Sequence, residues 1–124
     1  MTTQRIAQVF GAVFILVGLL GLMMGGYTMS TTLLLGLFPV NLLHNLVHLG
    51  IGGWGMIAAQ SEANAQAFCK IAGVAYVALA VLGFVMPDVF GLIPIGGNDI
   101  WLHLVIGVIL SYVGFAGAAK PAST

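Results

Sequence analysis

Charge is what this sequence has least of: three Lys+Arg and three Asp+Glu in 124 residues, 5% in all. A water-soluble domain carries roughly 25% charged residues because its surface must be wetted. A soluble globular protein is therefore excluded. No basic stretch is available for a phosphate backbone, which excludes nucleic acid as a partner. One cysteine, Cys69, rules out an intrachain disulfide and any multi-cysteine zinc or iron–sulfur centre. As a small apolar filler near a helix start it needs no further role, palmitoylation or a reactive thiol being the alternatives. No serine or cysteine stands beside a histidine at a plausible depth, and no paired carboxylates lie inside an apolar run. GGND at 96–99 leads into a helix with no lysine near it. Hydrolytic and phosphate-loop chemistry thus have no residues to use, and the chain is read as a non-enzyme.

What is present is apolar: 60% of residues are hydrophobic and the mean hydropathy is +1.14. A membrane-crossing helix needs about 20 mostly apolar residues. Four segments qualify, at about 6–26, 41–59, 67–86 and 98–118. GGYTMSTT separates the first two, QSEANAQ the next, and MPDVFGLIPIGGND the last pair, where Pro87 and Pro94 stop helical continuation. The first run follows Arg5, but it exceeds the apolar core of a signal peptide and no A-x-A site follows, so it reads as a retained helix. The expected fold is all-α: one transmembrane domain over 1–124, an integral membrane four-helix bundle.

The few charges predict its orientation. With four spans, Arg5, Lys70 and Lys120 fall on one side of the bilayer and Asp88 and Asp99 on the other. Basic residues mark the cytoplasmic face. Both termini and the 60–69 loop are expected there, in a bacterial inner or thylakoid-type membrane.

Self-comparison reveals an internal repeat with units of about 1–59 and 60–124. GLFPV at 36–40 matches GLIPI at 91–95, and HLGIG at 48–52 matches HLVIG at 103–107, both at an offset of 55. Spans one and three align at an offset of 62: Gly11 with Gly73, Phe14 with Tyr76, Gly21 with Gly83, Met24 with Met86. Each unit holds two spans, so the copies run parallel, related by a pseudo-two-fold axis along the membrane normal. His48 and His103 are then symmetry mates, as are His44 and Asp99.

These ionisable residues lie on stripes. At about 100° per residue, Asn41, His44, Asn45, His48, Gly52 and Gly55 share one face of span two. Asp99, His103, Gly107, Gly114 and Gly117 share one face of span four, and Gly11, Gly18, Gly21 and Gly25 one face of span one. Small residues let helices approach where lipid offers no hydrophobic drive. Polar ones need partners at depth, since an unpaired group costs several kcal/mol in hydrocarbon. The stripes are expected to face inward, with Trp54 and Trp101 as lipid-facing or interfacial anchors.

Several readings of the stripe follow. In the plainest, each imidazole donates one N–H to a carbonyl or an asparagine across the bundle, and the protein is an accessory or scaffold. In a second, His48 and His103 ligate haem b or a chlorophyll-type macrocycle, with Gly52 and Gly107 leaving space for the flat ring. In a third, His44, His48, Asp99 and His103, paired at i, i+4, hold Zn, Cu or Fe. A fourth is a proton relay or small-solute path. Partners expected on these grounds are the lipid bilayer and either a second copy or a larger membrane complex, since Gly21 and Gly25 have the spacing of helix-dimer faces.

Asn45-Leu-Val-His48 followed by Gly52, and Asp99-Ile-Trp-Leu-His103 followed by Gly107, resemble the signatures of an uncharacterised bacterial family of four-helix membrane proteins, domain of unknown function 4383. The resemblance runs from about residue 5 to 118. It implies the architecture and the two matched histidines, His48 and His103, and no activity. His44 lies outside the matched pattern.

Overall fold

The computed structural model describes residues 2–118. Lys120 and Thr124, with the rest of the C-terminal end of the second repeat unit, lie outside the described residues. Four helices follow in order: α1 Thr3–Met23, α2 Leu42–Ala58, α3 Glu62–Val85 and α4 Asn98–Ala118. α1 packs chiefly on α2, and α3 on α4, giving two antiparallel hairpins that meet along α1 and α3.

Local chemistry sets the helix starts. Thr2 accepts a hydrogen bond from the Arg5 amide at 3.1 Å and Asn41 from the His44 amide at 2.9 Å. Ser61 accepts from the Asn64 amide at 3.2 Å. Such caps satisfy amides that have no partner within the helix. The Ser61 cap explains the largest boundary difference. QSEANAQ reads as a break in sequence, yet α3 begins at Glu62, because a capping serine and three alanines favour helix over coil. The polar first turn lengthens the helix beyond its apolar span.

α1, α3 and α4 are long and apolar enough to cross a membrane. α2 has 17 residues, or about 25 Å at 1.5 Å per residue, short of a hydrocarbon core of about 30 Å. Preceding it is a feature that hydropathy does not signal, a small antiparallel ribbon. β1 Thr32–Leu34 pairs with β2 Phe38–Val40, Thr32 opposite Val40. The two long connections, 24–41 and 86–97, lie at the same end of the bundle.

Close backbone contact holds each hairpin together. A methyl group at Gly11 would lie 2.8 Å from the Gly52 oxygen, and one at Gly52 would lie 2.7 Å from the Gly11 oxygen. In the other hairpin, a methyl group at Gly107 would lie 2.5 Å from the Val77 nitrogen and 2.9 Å from the Gly73 oxygen. The inward stripes are as expected: His44, Asn45, His48, Gly52 and Gly55 are all buried on α2. Around them Ala7, Phe14, Phe68, Cys69, Tyr76 and Leu110 form the core. Trp54 and Trp101 are both partly exposed, at 39% and 52%.

Candidate functional site

At the long-loop end the three histidine side chains converge, with Asp99 beside one of them, His44. His44 and His48 stand one turn apart on α2, and Asp99 and His103 one turn apart on α4, in its first two turns. All four are buried, at 4%, 8%, 2% and 2% exposure respectively. One ligand atom from each of the three imidazoles lies within 4.8 Å of the others. His44 stacks on His48 with ring centroids 5.0 Å apart, and His103 stands 6.1 Å from His44. Asp99 Oδ2 is 3.6 Å from His44 Nε2, close enough for an ion pair but beyond a good hydrogen bond.

The cluster is not satisfied internally. Nδ1 of His44, of His48 and of His103 has no hydrogen-bond partner, and neither has Asp99 Oδ2. The backbones of Pro39 and Pro94 approach the His44 ring without closing a hydrogen bond to its Nδ1. The amide N–H groups of the neighbouring asparagines are committed elsewhere, and Asn45 Oδ1 is itself buried without a partner. Asn45 Nδ2 donates to the Gly26 oxygen at 2.9 Å, and Asn41 Nδ2 to the Leu92 oxygen at 2.9 Å and the Met29 oxygen at 3.4 Å. They tie loops to helices. Among the described residues, none of the three Nδ1 atoms makes a cross-bundle hydrogen bond of the kind the packing reading expects.

Beside the rings is a cavity of about 100 Å³, lined by His44, His48, His103, Tyr76, Ile93 and Ile95 among others. Tyr76 is a site residue that sequence reasoning passed over; its ring centroid lies 5.2 Å from that of His103. The signal was its alignment with Phe14, which packs edge-on to His48 at 5.7 Å. Gly52 and Gly107 are absent from the cavity wall. They are spent in the helix contacts described above, one to two turns deeper than the rings.

Three helices long and apolar enough to cross a bilayer, with buried histidines and an aspartate among them, define a polytopic membrane protein with a buried polar centre. The match to the family model for the domain of unknown function DUF4383 covers residues 4–116, and the chain belongs to that family. No curated protein and no solved structure matches it.

Proposed function

We propose that this protein binds a divalent transition-metal ion inside its bundle through His44, His48 and His103. The observation that carries the reading is that three buried imidazoles converge with none of their Nδ1 atoms hydrogen-bonded. In an apolar medium an unpaired polar group costs several kcal/mol, and a cation bound through one nitrogen of each ring gives the three rings a polar partner in common. Zinc held at about 2.0–2.1 Å by tetrahedral nitrogens needs donors about 3.4 Å apart. Rotation of side chains already within 4.8 Å of one another supplies the difference. Imidazole suits Zn²⁺, Cu²⁺ and Fe²⁺ alike.

Two observations favour an ion over a macrocycle. The cavity holds about 100 Å³, against about 300–1,000 Å³ for pockets that enclose larger organic ligands. The glycines that would have made room for a flat ring are filled by neighbouring backbone. The same small volume favours a binding role over catalysis on an organic substrate. On this reading the protein is a non-enzymatic metal-binding component of the membrane, alone, as a homo-oligomer or in a larger complex. The basic residues favour cytoplasmic termini, with the histidines toward the opposite face.

The test is elemental analysis and a visible spectrum of the full chain, purified in mild detergent and equilibrated with Zn²⁺, Cu²⁺ or Fe²⁺. Stoichiometric metal that is lost in His48→Asn and His103→Asn supports the reading. Protein that stays folded and metal-free under all three conditions refutes it, and a Soret band would restore the macrocycle. Activity, outside the cytoplasm, of a reporter fused after Thr124 would reverse the orientation.

A further inference from the structure

Residues matched by the two sequence offsets touch one another in the fold. His44 and Asp99, 55 positions apart, approach to 3.6 Å. Phe14 and Tyr76, 62 apart, stack with ring centroids at 5.3 Å. The contacts within each hairpin correspond as well: Phe14 lies against His48 as Tyr76 lies against His103, and Gly11 meets Gly52 as Gly73 meets Gly107. Even the loops are exchanged in kind. Asn41 donates to the Leu92 oxygen and Asn98 to the Leu37 oxygen, both at 2.9 Å; Leu37 and Leu92 hold the same place in GLFPV and GLIPI, while Asn98 stands two positions past the mate of Asn41. Similar composition can align two apolar helices in sequence. It does not make matched residues meet across one line, which happens only when both mates lie beside a common axis.

From this we infer that the two hairpins are duplicated halves of one metal site, with the ion on their pseudo-two-fold axis and Asp99 as its fourth ligand in the place His44 takes. The inference rests on the metal reading above and deepens it. Each hairpin contributes an i, i+4 pair, His44 with His48 and Asp99 with His103. Asp99 Oδ2 is buried, has no hydrogen-bond partner and stands 3.6 Å from His44 Nε2, and its carboxylate brings negative charge to a divalent ion in a medium that screens poorly. Three nitrogens and one oxygen complete a tetrahedron with no open position, the form of sites that hold a metal rather than react through it. The ion class this selects is a divalent ion content with closed tetrahedral N₃O ligation, of which Zn²⁺ is the type.

Equivalence of His44 and Asp99 is testable by exchanging them. Full-length protein in detergent is titrated with Zn²⁺ alone as wild type, as Asp99→Ala and as the double variant His44→Asp with Asp99→His. The exchange keeps three imidazoles and one carboxylate and merely trades them across the axis, so its affinity stays within about 10-fold of wild type. Asp99→Ala binds more than about 100-fold more weakly, beyond the 10–100-fold loss typical of an outer-shell partner. Wild type that takes up no Zn²⁺ defeats the metal reading and this inference with it. Wild type that binds while a folded exchange variant does not defeats the equivalence alone. Should the exchange variant fail to assemble, Co²⁺ decides: wild type shows the intense visible bands of tetrahedral Co²⁺, and Asp99→Asn shifts or weakens them. Bands unchanged by Asp99→Asn, or the weak bands of six-coordinate Co²⁺ in wild type, overturn the fourth ligand.

Discussion

The two ends of this bundle are held together differently. Toward the 59–61 turn, α1 meets α2 and α3 meets α4 through glycine backbones, and the core is Phe68, Cys69, Ala65 and Leu110, with hardly a polar atom to satisfy. Toward the long loops, the same helices bring together three imidazoles and a carboxylate whose buried atoms lack partners. One end is complete as it stands. The other gains from something more. The contrast teaches that a single continuous helix face can serve close packing in one half and ligand chemistry in the other, with the change from Gly to His one turn along the stripe.

The largest effect should come from breaking the complete end. Gly107→Leu places a side chain where the Val77 nitrogen and Gly73 oxygen already sit. Overpacking costs about 1–3 kcal/mol and occasionally more; with rigid backbone as the obstacle, thermal unfolding in detergent should show the top of that range or loss of assembled protein. Gly50→Leu is the control: open space surrounds it, and its unfolding temperature should hardly move.

At the other end, Zn²⁺ at about 100 times its Kd should stabilise wild type by about 2.7 kcal/mol. His48→Asn and His103→Asn should each abolish the zinc-dependent rise in unfolding temperature. The double variant should lose little more, since one site is removed either way. Additive losses would mean two independent sites and would blur the contrast.

Smaller is the expected cost of Asn45→Ala, which frees the Gly26 oxygen that Asn45 now binds. Buried hydrogen bonds in one measured membrane protein average about 0.6 kcal/mol, with a maximum of about 1.7, and thermal unfolding should return a value in that range whether or not Zn²⁺ is present. The smallest effect sharpens the comparison most. In chelator-treated protein, His48→Leu removes a ring whose Nδ1 has no partner, so stability should be unchanged or slightly raised, because deleting an unsatisfied polar group removes its desolvation penalty. A clear loss in the absence of metal would show that the ring already makes bonds worth keeping.

Much of this was legible in the chain. Each helix and the inward stripes of α2 and α4 follow from composition and a 100° period, since both depend on residues within one helix. The histidines stood out because imidazole is rare in hydrocarbon. The ribbon Thr32–Val40 was not legible, as it depends on pairing rather than on periodicity. The start of α3 at Glu62 was missed because its polar first turn looks like a loop to a hydropathy scale. Asn41 and Asn45 share the histidines' stripe, but at the first turn of a helix their side chains are within reach of loop carbonyls and are taken by them.

By itself the sequence determined a membrane bundle of four helices, which faces of those helices turn inward, and which ionisable residues travel with them. These are consequences of transfer energetics and helical geometry, both readable one segment at a time. Only the tertiary structure decided that ligand atoms of His44, His48 and His103 gather within 4.8 Å, that Asp99 stands beside His44, that Tyr76 stands beside His103, and that none of the three Nδ1 atoms is satisfied. Those facts depend on the azimuth and depth at which α2 and α4 are held against α1 and α3, and these are set by glycine backbones in contact toward the other end of the same helix faces.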